Sequence, residues 1–256
     1  MDAKAQLVDW LVPAPLTGSV QAGMARFSEG DEHSRRRAIA DSRLAMLDPA
    51  QLRGAARRCT AAKIAGRDEV EIMSELARTV PVAVLAAALG AADPDTAVAA
   101  TRRLCLALAP PEGSSPSCGW PEVRELAGLL GLDHDVDTDE AVNVVALLFQ
   151  AMDATAGLIG NALRAAAGPP PVTVVRTMRV TPAGDHRAVG LEAADPPLPF
   201  GAGRHRCPGE AHALALAAGV LDALDAAGAV VIDAPDADEP RLNLRIPTVV
   251  AVRLDR

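Results

Sequence analysis

The stretch from Thr138 to Ala167 constrains this chain more than any other. Thr138 reads as a helix N-cap, with Asp139 and Glu140 in the turn that follows, where acids suit the helix dipole. From there to Gly168 and the three prolines beyond it, the pattern is one helix with apolar side chains on nearly every face: Val142, Val144, Val145, Leu147, Leu148, Phe149, Leu158, Ile159 and Leu163. Such a helix has no face to turn to water, so it must be central and covered by other elements. The 256 residues suffice to cover it, as one large domain or two small ones. Aromatic side chains are scarce, with three Phe, two Trp and no Tyr. The core is therefore built from Ala, Leu and Val, or is completed by something that is not protein.

Before the central helix the chain reads as more helix. Asp31 to Leu47 is charged first and apolar later. Asp48-Pro49 and Asp93-Pro94 each pair a cap with a proline at the first helical position, opening helices to about Gly66 and Ala109. Glu71 to Leu89 is apolar, with Pro81 expected to kink or divide it. Pro110 to Gly119 is a loop by composition, and Trp120-Pro121 opens a short helix ending near Gly131. After the central helix the texture changes. Val172 to Val180 is β-branched and predicts a strand, Thr181 to Leu198 a loop, and Pro208 to Ala227 a helix ended by Gly228. Val230 to Ile232, Leu242 to Ile246 and Thr248 to Leu254 predict short strands. The order is mainly α with a minor C-terminal sheet, not alternating βαβ.

The net charge of −8 argues against nucleic acid or an anionic membrane as the main partner. Cys59, Cys105, Cys118 and Cys207 form no CxxC pair, which favours a reducing, cytoplasmic setting without disulfides. Met1 to Met24 lacks the pattern of a signal peptide, and the apolar runs meet Asp, Arg or Gly before reaching spanning length. Asp133-His134-Asp135 reads as a solvated loop rather than a metal site.

The chemistry concentrates in Phe200 to Glu210, FGAGRHRCPGE. Gly201 and Gly203 free the backbone for positive φ. Cys207 precedes Pro208, which suits a first helical position, so Cys207 is expected near a helix N-cap where the dipole and unpaired N–H groups favour a thiolate. Arg204, His205 and Arg206 add positive charge, and Gly209 leaves room for a flat object. A lone thiolate on a glycine-rich loop with cations beside it suits an anionic planar cofactor bound through sulfur, as haem with an axial Cys is.

These residues resemble the cysteine-ligand loop of the cytochromes P450, Phe-x-x-Gly-x-His/Arg-x-Cys-x-Gly, at Phe200, Gly203, His205, Cys207 and Gly209. Upstream, Asp31 to Arg37 resembles the start of the family's C helix. His33 and Arg37, four apart on one helical face, match the pair that reaches a haem propionate. Glu75 to Gly90 resembles the E helix, and Val145 to Leu163 the I helix that crosses the distal haem face. Pro169 to Thr177 resembles the strand whose arginine, here Arg176, reaches a propionate. The resemblance implies a single shortened haem domain over residues 1–256, with an N-terminal segment (1–24), a helical part (25–168) and a part carrying strands, Cys loop and last helix (169–256). It implies haem b with Cys207 as iron ligand, and His33, Arg37, Arg176, Phe200, Gly203, His205 and Gly209 around it. The activity implied is oxidation of a small organic substrate, and the Ala- and Arg-rich, Lys-poor composition suggests bacterial natural-product biosynthesis. A ferredoxin-type electron donor is also implied.

The pattern departs from the family in four places. The N-terminal strands, the J and K helices with their Glu-x-x-Arg pair, and much of the meander before the Cys loop have no counterpart. In the I-helix match the acid is Asp153, but Ala154 stands where the next residue is usually Thr. Thr155 follows one residue later, a rotation of about 100°. Asp153 and Thr155 are the candidate catalytic pair, and the displaced hydroxyl opens peroxide-driven or non-monooxygenase haem chemistry. The lost strands predict an exposed sheet edge and a homodimer covering it. Two other readings stand beside the enzyme: an inactive P450-like helper protein and a haem-based sensor.

Overall fold

Capping chemistry sets the helix starts. Asp48 accepts from Ala50 N at 2.8 Å, Asp93 from Thr96 N at 3.0 Å and Thr138 from Ala141 N at 3.2 Å. The computed structural model describes residues 2–110, 114–132, 138–165, 171–241 and 243–255. In chain order these form α1 (Ala3–Asp9), α2 (Gly30–Ala45), α3 (Pro49–Ile64), β1 (Glu69–Glu71), α4 (Val80–Ala88), α5 (Pro94–Leu108), α6 (Trp120–Leu129), α7 (Asp139–Arg164), β2 (Arg176–Val180), β3 (His186–Gly190), α8 (Glu210–Ala226), β4 (Val230–Asp233) and β5 (Ala251–Arg253). The fold is mainly α with two small antiparallel sheets, ordered β1-β5-β4 and β2-β3. Asp133, His134 and Asp135 lie outside the described residues, as does Leu242.

Several elements differ from the sequence expectation. Asp2 caps α1 by accepting from Ala5 N at 2.7 Å, but Leu7 is the one buried residue in the helix, so no apolar period reveals it. β3, expected as loop, turns only Val189 inward and pairs residue by residue with β2. β1 takes the start of the segment read as helix from Glu71, because Val70 sits opposite Val252 of β5. A π turn at Met73–Ala77 follows, and Pro81 falls in the first turn of α4, dividing the segment there. Of Leu242 to Ile246, Leu244 makes an isolated bridge to Val174 and no strand forms.

α7 is the centre. Fifteen of its residues are buried, including Asn143 and Asn161. By length and hydropathy alone it could cross a membrane, but its apolar face is spent on the protein interior. Its few polar groups bind neighbouring chain. Asn143 accepts from Ala25 N (2.8 Å) and donates to Gly23 O (2.9 Å). Asn161 donates to Thr173 Oγ1 (3.2 Å) and Arg245 O (3.0 Å). Gly157 and Gly160 let these segments close on the helix, since a Cβ at Gly160 would meet Met73 Sδ at 2.6 Å.

The closest helix packing is α3 on α8. A Cβ at Gly219 would strike the carbonyl oxygen of Arg53 and come within 2.8 Å of Ala56 Cβ. Neither atom can give way without moving α3. Gly219→Ala is expected to cost about 1–3 kcal/mol by overpacking, a fall in Tm of roughly 2–4 °C per kcal/mol for a chain of this size. Gly128→Ala in α6 meets nothing within 4 Å and should leave Tm unchanged or slightly raised. Thermal unfolding followed by circular dichroism separates the two.

Candidate functional site

The loop Phe200–Gly209 folds back on itself. Gly201 (φ +72°) and Gly203 (φ +68°) take the left-handed conformations open to glycine. Cys207 N donates to Phe200 O at 2.9 Å and Arg206 N to Gly203 O at 3.1 Å. Below the loop lies α1, so near that a Cβ at Gly203 would stand 3.1 Å from Val8 Cγ2.

α2 presents His33 and Arg37 to this loop. Arg37 Nη1 donates to the carbonyls of Arg204 (3.2 Å) and Arg206 (2.8 Å), while Nε pairs with Asp41 (2.8 Å). One turn earlier His33, 6% exposed, stacks on His205 with ring centroids 4.2 Å apart and planes tilted by 57°. Glu29 ties a third strand of chain to the same point. Its carboxylate accepts from Val12 N (2.7 Å) and Arg204 Nε (2.9 Å) and lies 3.5 Å from His205 Nε2. Burial alone would raise the Glu29 pKa, but these donors and the positive charge of Arg204 outweigh it and hold the group below the ordinary carboxylate value.

Burial pushes the Cys207 thiol above its ordinary pKa; a hydrogen bond from the Gly209 backbone and the charges of Arg37 and Arg26 only partly offset this. The expected helix-dipole activation is absent because α8 begins at Glu210 with Gly209 as its cap, leaving Cys207 and Pro208 outside the helix. Burial thus favours the neutral thiol at this site. Gly209 faces only Leu44 Cδ1, 3.8 Å from where a Cβ would stand, and Phe200 is half-buried.

One arginine that sequence reasoning missed lies beside these groups. Arg179 on β2 is 6% exposed, with Nη1 donating to Thr177 Oγ1 and Met178 O at 2.9 Å and Nε buried without an acceptor. Arg176, the residue named from the sequence, is exposed at the start of the same strand, three residues away. Strand alternation puts 176 and 179 on opposite faces, which was the available signal. Arg26 lies in the short turn Ala25–Phe27. His205 Nε2, also buried, has only the long 3.5 Å contact to Glu29.

On α7, Leu147, Ala151, Ala154 and Leu158 form one stripe by their spacing. Leu147 contacts Ala40 and Leu44 of α2, and the other three are only partly buried on an otherwise covered helix. Asp153 points elsewhere. It pairs with Arg78 Nε (3.0 Å) and Arg241 Nη2 (3.3 Å), and Arg78 also holds Glu239 (2.7 Å). Burial would lower the Arg78 pKa, but Asp153 and Glu239 raise it above the ordinary value. Thr155 is fully buried, its hydroxyl without a partner. Neither residue is brought to Cys207 by any recorded contact.

No family model and no curated protein matches the chain, but solved structures do. P450BioI, crystallised with an acyl carrier protein ligated by hexadec-9Z-enoic acid, is similar over 98% of this chain and 89% of its own, with TM-score 0.74 and 17% identity. The Bacillus subtilis bacillaene polyketide synthase cytochrome P450 PksS matches over 99% and 87%, with TM-score 0.73 and 14% identity. OxyD, a P450 of vancomycin-type antibiotic biosynthesis, matches over 99% and 87%, with TM-score 0.68 and 19% identity. The chain has the cytochrome P450 fold.

Two outcomes follow from this geometry. Burial, with repulsion from His33, lowers the His205 pKa from 6.5 to about 4. Between those values the unfolded chain binds more protons than the folded one, so stability falls as pH drops from 6.5 toward 4. Urea unfolding across that range should show a shallower pH dependence in His205→Gln. Asp153→Asn leaves Arg241 and Arg78 short of a buried partner and should destabilise by about 3 kcal/mol, read as a lowered urea midpoint at constant slope.

Proposed function

We propose that this chain is a haem-thiolate oxidoreductase of the P450 type, a single shortened haem domain acting on a small organic substrate. The fold implies haem, and the residues present suit it. The observation that supports the reading is a buried donor beside the Cys207 loop that the protein leaves uncommitted, Arg179 Nε, which has no acceptor, together with two imidazoles in contact there, His33 against His205, the latter held only by a long 3.5 Å contact to Glu29. Buried polar atoms of this kind normally have partners, and two propionates would provide them. Cys207 would hold the iron, with His33, His205 and Arg179 on the propionates. Haem held through the Cys207 sulfur would supply redox chemistry at its iron.

The chain's own residues have definable tasks. Arg37 fixes the Cys207 loop through its carbonyls instead of reaching outward. His33 and His205, their pKa values lowered first of all by burial, are neutral donors at pH 7. Ala151, Ala154 and Leu158 offer an apolar wall to a substrate. Asp153 is held by two arginines and Ala154 has no hydroxyl, so proton delivery by an acid and hydroxyl on α7 is unsupported. This favours peroxide-driven oxidation or a haem-catalysed rearrangement or coupling. An intact Cys207 loop with neutral imidazoles speaks for an enzyme over a helper protein.

Natural-product biosynthesis is the setting of the neighbours PksS and OxyD by name, and we extend it to this chain as part of the proposal. Arg204 and Arg206 are taken up by Glu29 and Glu210, so a ferredoxin-type donor would need another docking face. The edge strand β4, with Val230, Val231 and Ile232 exposed at 47%, 38% and 42%, is where a homodimer would close.

The test is the absorption spectrum of the haem-supplied protein, oxidised and then reduced under carbon monoxide, beside Cys207→Ala. A red-shifted Soret band of the thiolate type that vanishes in the variant is the expected outcome. No bound haem, or the same spectrum in both proteins, would overturn the reading.

A further inference from the structure

β4 and β5 lie side by side in one sheet, yet residues 234–250 join them. Neighbouring antiparallel strands need only about two to five residues for a turn. The excess runs out and back beside α7 as two limbs. Glu239 N donates to Ile246 O at 2.8 Å and Thr248 N to Ala237 O at 3.0 Å, so the limbs pair with each other. The return limb is seated on the body of the protein. Ile246, Pro247 and Val250 are buried, Arg245 N donates to Thr173 O at 2.8 Å, and Asn161 donates to Arg245 O at 3.0 Å. The outward limb has no such seat. From Pro235 to Pro240 every residue is exposed except the half-buried Glu239.

Beyond its pairing with the return limb, the outward limb is fastened by charge. Glu239 pairs with Arg78 Nη2 at 2.7 Å, and Asp238 with Arg164 Nη1 at 2.9 Å and Arg245 Nε at 3.6 Å. Arg241 ends the limb, its Nη1 donating to Ala109 O at 2.6 Å and its Nη2 lying 3.3 Å from Asp153 Oδ2. These contacts close the place where α5 meets α7. Cys105 of α5 is buried there, its Sγ donating to Phe149 O at 3.7 Å. Ala109 stands one turn beyond Cys105, and Asp153 one turn beyond Phe149. Arg241 therefore bridges the two helices directly past the thiol. Burial pushes the Cys105 thiol up to about 12, with Asp153 adding to the rise and Arg241 and Arg78 opposing it.

The two limbs depend on different forces. Ion pairs open to water weaken as salt screens them. Buried apolar side chains, such as those of the return limb, do not depend on charge. A segment with few buried apolar contacts is also the part of a fold that opens first.

We infer that the limb Pro235–Arg241 is a charge-held flap over the Cys105 end of α5, opening while the return limb and α7 stay in place. In the open state Arg241 leaves Asp153, Glu239 leaves Arg78, and water reaches the thiol. Ionic strength sets the fraction open. The inference goes beyond the haem-thiolate reading and is independent of it, since neither Cys207 nor any bound group takes part.

The experiment uses the full chain and two local readouts. One is amide hydrogen exchange at Glu239 and Thr248, with the α7 amides as reference. The other is alkylation of Cys105 by iodoacetamide, located by peptide mass. Raising NaCl from about 0.1 M to about 1 M shortens the screening length from about 10 Å to about 3 Å. Both readouts should then rise about fivefold or more, the scale of losing a few partly exposed ion pairs, while the α7 amides keep their protection. Glu239→Gln and Asp238→Asn should each reproduce the rise at about 0.1 M NaCl and shrink the response to salt. The salt response of the wild type needs no substitution, so a variant that fails to fold leaves the test intact. Exchange that ignores salt, or a Cys105 that stays unlabelled while the two amides exchange, overturns the inference. So do α7 amides that open in step with the limb, or a salt response that both folded variants leave unchanged.

Discussion

The structure depends on burying one helix that has no polar face. α7 can be covered on all sides only if the irregular chain around it is held at fixed depth, and its rare polar side chains do this. Asn143 holds the turns that lead to Arg26. Asp153 holds Arg78 from the π turn and Arg241 from the C-terminal segment. Asn161 holds Thr173 and Arg245. Each group lies about two to three turns from the next, so every layer of the wrapping has one peg. A buried amide or carboxylate needs partners, and here the partners are the segments that would otherwise have nothing to orient them. The glycines at 157 and 160 serve the same end by letting that chain approach.

Around Cys207 the same economy operates with charge. Arg37 could have pointed into the interior but grips the loop that carries the sulfur, and Glu29 gathers the N-terminal segment, Arg204 and His205 at one carboxylate. The loop is therefore tied at several points to α2 and to the chain before it. Burial meanwhile keeps the thiol protonated and both imidazoles neutral. The site is thus held in place by hydrogen bonds while its thiol and imidazoles stay neutral.

How much of this was legible in the sequence depended on whether the signal was local. Asp48, Asp93 and Thr138 announced their helices because a cap is a short-range interaction, and α7 announced its central place by periodicity alone. The spacing of His33 and Arg37 put both on the face that meets the Cys loop. α1 and β3 were hidden because each buries a single residue, and seven or five residues cannot display a period. Cys207 was expected at the start of a helix, but α8 begins at Glu210 and the residues between form a turn, so the helix start was not legible to the residue. Arg176 stood nearest the motif, yet the pleat turns Arg179 inward; one step of strand register decides between them.

The losses on α7 are connected. Asp153 and Ala154 are consecutive, so their side chains diverge by about 100°. The acid is turned to Arg78 and Arg241, where it fastens the C-terminal segment, and the alanine lies on the stripe shared with Leu147, Ala151 and Leu158. Were the acid released to serve a ligand, the segment would lose its anchor and two arginines would be left buried with too little negative charge. Restoring a hydroxyl at 154 alone would put a polar atom on an apolar wall without an acid beside it. The helix thus carries a charged clamp on one side and an apolar stripe on the other. On the proposed reading, changing one would not recover the other, and the reaction class would be tied to the way the C-terminal segment is held.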